Sequence, residues 1–211
     1  LENGSIEQKN NQFVLPRNID EVQVPDTIQG IIAARMDRLE ENLKRTMQVA
    51  SVVGRDFAFR ILDTITGMRE ELKSYLLNLQ GLEFIYEKQL FPELEYIFKH
   101  ALTQEVAYNS LLVKRRKNIH GRIAKAIEEL YSDRLEEYYE LLAYHYVRSD
   151  DKHKALEYLD RANQKAARAY AIGDAKDYFD EAMRLLKTFA EDGKSREQRL
   201  TLLLNQRTVF N

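Results

Sequence analysis

His100 is the residue in this chain best placed by type and spacing to do chemistry. Tyr96-Ile97-Phe98-Lys99 alternates at the two-residue period of a strand, and Leu102, Val106 and Ala107 then recur at helical spacing. The imidazole therefore falls at a strand-to-helix junction, where it can donate a hydrogen bond to an anion or be satisfied internally as a core histidine. The other three histidines, His120, His145 and His153, show no paired spacing such as H-E-x-x-H, so no metal site is expected. Gly193-Lys194-Ser195 ends like a phosphate-binding loop, but Thr188 stands where that motif needs its first glycine and Leu185 to Ala190 read as helix. The carboxylates lie on solvent-facing helical stripes with nothing to desolvate them as a pair, and no Gly-x-Ser-x-Gly elbow occurs. No catalytic residues and no enzyme are expected in this segment.

The densest charge is Lys114-Arg115-Arg116-Lys117, followed by His120 and Arg122. Ile119, Ile123, Ala126, Ile127 and Leu130 give the same stretch an apolar helical face, which leaves the cations on the opposite side. They either solvate that side or dock an acidic or nucleotide-bearing partner.

Composition bounds what these residues can belong to. The chain has 211 residues, 44% hydrophobic, and its 32 basic and 34 acidic side chains leave a formal charge of −2. It can bury a sizeable core but has no overall attraction for nucleic acid or anionic lipid. With no cysteine, disulfides and thiolate chemistry are excluded, and a cytoplasmic setting is compatible. No apolar run is long enough to span a bilayer, so no membrane partner is expected. Leu1-Glu2-Asn3-Gly4 starts abruptly, and a domain upstream is expected.

Eight glycines and three prolines in a chain rich in Leu, Ala, Glu, Lys and Arg predict a mainly α fold. Residues 1–24 read as a remnant tail or hairpin. A helix then starts at Pro25-Asp26-Thr27, with Ile28, Ile31, Ile32, Arg35, Met36 and Leu39 in one stripe. Helices follow over Leu43 to Val53, over Phe59 to Ile65, and from Arg69 to Gln80, the last burying Leu72, Leu76, Leu77 and Leu79. Gly54, Gly67 and Gly81 stop them. Leu82 to Tyr86 and Leu94 to Lys99 read as a two-stranded hairpin around Glu87 to Glu93. Three helices and a hairpin are the winged-helix order, and the domain is assigned to 25–112 with its leading helix. Its recognition helix offsets Arg69 and Lys73 with Glu70 and Glu71, which argues against DNA.

The rest, 113–211, reads as a linker helix and tetratricopeptide-like repeats. Tyr139, Leu142, Ala143, Tyr146, Ala155, Leu159 and Ala162 follow that repeat's alternation of large and small residues. Ala175, Tyr178, Phe179 and Ala182 echo the second helix after 20 residues, where a regular repeat needs about 34. A final helix is expected near Glu197 to Val209. A truncated array leaves apolar surface for a protein partner or a second copy of the chain.

Three stretches carry a family resemblance: the segment from Tyr96 to Tyr108, Val24-Pro25-Asp26-Thr27-Ile28-Gln29-Gly30-Ile31-Ile32-Ala33-Ala34-Arg35-Met36-Asp37-Arg38-Leu39, and Val49-Ala50-Ser51-Val52-Val53-Gly54-Arg55-Asp56-Phe57. Over roughly residues 20 to 190 the chain resembles STAND-class AAA-type signalling ATPases, in particular the predicted ATPases fused to bacterial class III adenylate or guanylate cyclases. The resemblance implies an upstream nucleotide-binding domain of the same chain that holds ATP or ADP with Mg. It implies that His100 contacts the ADP phosphates, while the segment itself carries no cofactor. On this reading the chain is a regulatory fragment coupling nucleotide state to a partner or cyclase through its helical repeats. A winged-helix DNA-binding regulator and a pure protein scaffold are the competing readings.

Overall fold

The computed structural model describes residues 7–9, 12–14 and 26–189. The helix expected near Glu197 to Val209 and the Gly193-Lys194-Ser195 turn lie outside them. The chain divides into two compact units, 1–39 and 40–211. In the first, β1 (Glu7–Lys9) and β2 (Gln12–Val14) form an antiparallel hairpin, and α1 spans Asp26–Asp37. Ile28 and Ile31, expected on a buried stripe, are 46% and 61% exposed. Helical periodicity marks an apolar face; it does not provide the surface that would cover it.

The second unit is mainly helical with one small antiparallel sheet. α2 (Glu41–Val53) buries every residue from Thr46 to Val53. It ends where Gly54 takes φ 156°, and a Cβ there would lie 3.1 Å from the Asp56 carbonyl oxygen, so the tight exit demands glycine. β3 (Asp56–Ala58), α3 (Phe59–Thr66), α4 (Arg69–Gly81), β4 (Ile85–Gln89) and β5 (Glu95–Phe98) follow. Gly67 closes α3 in the left-handed conformation at φ 67°. The sheet order is β3-β5-β4, with Phe57 opposite Tyr96 and Tyr86 opposite Ile97.

The hairpin expected from Leu82 to Lys99 is joined by a third strand, Asp56-Phe57-Ala58, on the outer side of β5. Three residues are too few for a period-two pattern to register, although Phe57 points inward and stacks on Tyr96 at 5.8 Å. Leu77 is 66% exposed while Leu72, Leu76 and Leu79 are buried. One residue is about 100° of helical rotation, which carries Leu77 off the face its neighbours share.

Beyond β5 the chain is all helix: α5 (Ala101–Asn109), α6 (Val113–Leu130), a 3₁₀ stretch (Ser132–Tyr138), α7 (Tyr139–Val147), α8 (Lys152–Arg168) and α9 (Ile172–Leu186). α6 packs against α2, α3 and α7, and α8 packs against both α7 and α9. Six of the seven spaced positions, Leu142, Ala143, Tyr146, Ala155, Leu159 and Ala162, are buried where α7 and α8 meet. The small side chains at Ala143, Ala155 and Ala162 let the backbones approach closely. Asp151, in the expected turn, caps α8 by accepting the Lys154 N–H at 3.1 Å.

Phe98 is fully buried, with its ring 5.7 Å from that of Phe57 across β3 and β5. Phe98→Ala is therefore expected to lower the unfolding free energy by about 3–5 kcal/mol in urea titrations at constant slope.

Candidate functional site

The backbone around His100 is held from several sides. The Lys99 N–H donates to the Phe84 carbonyl at 3.0 Å, extending the pairing of β4 and β5 by one residue. His100 itself is extended, φ −128° and ψ 137°, and stands at the N-cap of α5 with its carbonyl accepting the Thr103 N–H at 3.0 Å. Gln104 Nε2 donates to the Ser51 carbonyl at 2.7 Å and Gln48 Nε2 to Ser110 Oγ at 3.0 Å, fastening α5 along α2. On this fixed frame the His100 side chain is exposed. It makes no side-chain capping bond to α5, so it is free to meet an external group. The neighbouring Lys99 ammonium is already partnered, by Glu83 at 3.2 Å and by the Tyr86 ring at 5.4 Å.

The basic run is less uniform than its sequence suggests. Lys114 and Arg115 are exposed on the first turn of α6. Arg116 lies over the Tyr108 ring at 4.8 Å, and Lys117 pairs with Asp150 at 3.0 Å. Arg122 is turned back into the fold, donating to the Ile65 carbonyl. His120, expected with the cations on the outer side, is instead buried. It falls one residue after Ile119 and three before Ile123, on the face that packs against neighbouring helices.

There His120 meets His145 of α7, also fully buried, with their Nδ1 atoms 2.9 Å apart. Tyr108 Oη lies 3.1 Å from His120 Nε2, so three helices contribute to one polar line. A hydrogen bond between two Nδ1 atoms needs one protonated and one bare nitrogen, so the accepting ring is neutral, and burial disfavours charge on the donating ring as well. His145 Nε2 has no partner among the described residues. Donation from His145 Nδ1 to His120 is the less costly assignment, because it leaves a buried lone pair rather than a buried N–H unsatisfied. Burial holds His120 down to about 4, with the Arg148 and Arg116 charges pushing the same way. His145 is lowered by burial, then by His120 and Arg148. Periodicity could have placed each histidine on a buried face, since both sit on the apolar stripes of their helices, but it does not indicate that the two meet.

A second polar cluster was also missed. Glu128, expected on a solvated stripe, accepts from Tyr146 at 2.6 Å, Tyr158 at 2.5 Å and Lys154 at 2.9 Å. Burial pushes its carboxyl up, but the three donors outweigh that and hold it below the usual carboxylate value. It ties α6 to α8. His153 is apart from both clusters, exposed, with its ring edge-on to Phe189 at 5.1 Å. Among the described residues no three His, Cys, Asp or Glu side chains converge as a metal site, and no helix is long and apolar enough to cross a membrane.

A groove of about 600 Å³ runs between α7 and α9. Ala143, Val147 and Leu159 line it together with Tyr144, Tyr178, Arg148, Glu140 and Glu181.

No family model, no curated protein and no solved structure matches this chain.

The histidine pair makes stability depend on pH with a definite sign. Both bases titrate lower in the folded state than their ordinary value of 6.5, so on acidification the unfolded chain takes up protons first. Stability is complete above that value and is lost as pH falls toward 4. Urea midpoints are expected to show a loss of roughly 2 to 4 kcal/mol between pH 7.5 and 5. The double variant His120→Leu with His145→Leu should remove most of that slope.

Proposed function

We propose that this chain is the regulatory segment of a nucleotide-switched signalling ATPase of the STAND class. In it, a winged-helix domain reads nucleotide state through His100 and a tetratricopeptide-like helical array passes that state to a protein partner or a cyclase. The observation that carries the reading is the exposed His100 side chain on a strand-to-helix junction whose backbone is fixed by α2 and β4. A rigid frame with a free imidazole at the start of a helix is a suitable contact for a phosphate oxygen, because neither ring nor backbone has to reorganise on binding. The nucleotide would be cradled by an upstream domain, with His100 as one added contact.

Other features support the same reading. The order α2-β3-α3-α4-β4-β5 with strands arranged β3-β5-β4 supports a winged-helix reading. The turn between its last two strands presents Leu90 and Phe91, 71% and 86% exposed, and α4 opens with Glu70 and Glu71. Apolar and acidic features in those places favour a protein neighbour over the phosphates of DNA. The groove between α7 and α9 gives the array a place to hold a partner's segment.

A histidine-to-phosphate hydrogen bond contributes about 1 to 3 kcal/mol, so in the full-length parent His100→Ala is expected to weaken ADP binding roughly 5- to 150-fold. Basal output should rise as the closed form loosens. ADP affinity measured by calorimetry that does not change, with basal output also unchanged, overturns the reading.

A further inference from the structure

The start of α6 is charged against its own dipole. Lys114, Arg115, Arg116 and Lys117 occupy its first turns, where the aligned peptides already present positive potential. Leu112 at the N-cap makes no side-chain hydrogen bond to the helix, so the cap supplies no compensating oxygen. Cations gathered at this end are unfavourable for the isolated helix and favourable for holding an anion.

Their surroundings sharpen the picture. Lys114 and Arg115 make no ion pair, hydrogen bond or ring contact among the described residues. Arg116 is propped on the Tyr108 ring and its Nη1 donates to Asn109 Oδ1 at 3.3 Å. Arg148, at the end of α7, stacks on Tyr144 at 3.7 Å. Tyr108 and Tyr144 both lie edge-on to His120 at 5.9 Å, so the two guanidinium groups flank the same buried ring. Directly beside them Leu112 is 78% exposed and Val113 61% exposed. Two uncovered aliphatics next to four uncompensated or pre-positioned cations occur in a chain whose total charge is −2, so the positive field is local.

We propose that Leu112, Val113, Lys114, Arg115, Arg116 and Arg148 form a docking surface for an acidic protein segment that carries aliphatic side chains. Its carboxylates would lie over the start of α6, where they meet both the cations and the unsatisfied N–H groups of the first turn. Its aliphatics would cover Leu112 and Val113. A membrane fits less well, because the 74% exposed Asp150 carboxylate beside Lys117 would face the lipid headgroups. Nucleic acid fits less well because the two aliphatics would be set against phosphates. The inference is independent of the nucleotide reading and stands if that reading fails.

The test uses the 211-residue chain and a labelled synthetic peptide repeating the unit Glu-Glu-Leu, followed by fluorescence anisotropy at two salt concentrations. Binding that weakens with salt is expected. The variant K114E/R115E should lose about tenfold or more in affinity, and L112S/V113S roughly threefold to tenfold. K125E/K73E, an equal charge change at two exposed lysines elsewhere, should alter it less than about twofold. Circular dichroism of each variant establishes that the helices are retained. Absence of peptide binding overturns the proposal, as does equal loss in K125E/K73E. Binding to vesicles of phosphatidylcholine and phosphatidylserine without binding to the peptide assigns the surface to lipid and also overturns it.

Discussion

His120 and His145 meet inside the protein where α6 crosses α7, each ring held neutral by burial first, with Arg148 opposing charge on both and Arg116 on His120. Much of the second unit depends on that crossing. α6 is the only helix among the described residues that packs closely on both α2 and α3, beside the sheet, and on α7, which begins the helical array. Its polar ties point both ways: Arg122 reaches the Ile65 carbonyl and Tyr131 donates to Glu93 at 2.7 Å on one side, while Glu128 gathers Tyr146, Tyr158 and Lys154 on the other. A linker defined only by apolar contact could slide; these bonds fix register, because a shift of one helical turn would leave several buried polar groups unpaired.

The same crossing gives the functional reading a physical route. α5 starts at His100 and ends near Tyr108, whose hydroxyl touches His120, so the exposed junction and the start of the array are joined by one short helix and one polar line.

How much of this could be read from residues alone divides by the kind of interaction. Helix ends were legible where a glycine is forced, as at Gly54 and Gly67, and the apolar stripe of α6 was legible from Ile119, Ile123 and Ile127. The turn at Asp150-Asp151 and the buried alanines of α7 and α8 followed from spacing. β3 was not legible, since three residues carry no periodic signal and are made a strand only by pairing with β5. Burial of Leu77, Ile28 and Ile31 was over-read, because a stripe's edge depends on the partner surface. The polar clusters were least visible. His120 and His145 are 25 residues apart, Glu128 and Tyr158 are 30 apart, and nothing local indicates which polar side chains on apolar faces will meet. The strand-to-helix junction at His100 was readable because its neighbours on both sides declare their periods, whereas the exposure of its side chain was not.

Native-state hydrogen exchange resolved by residue tests most directly whether the α6–α7 crossing makes one body of the sheet-bearing part and the array. Amides of α2, α6 and α7 opening with a common free energy, and with the same denaturant dependence, are the expected result. Exchange of α7, α8 and α9 in a separate, lower-energy opening while α2 and α6 remain protected would contradict it.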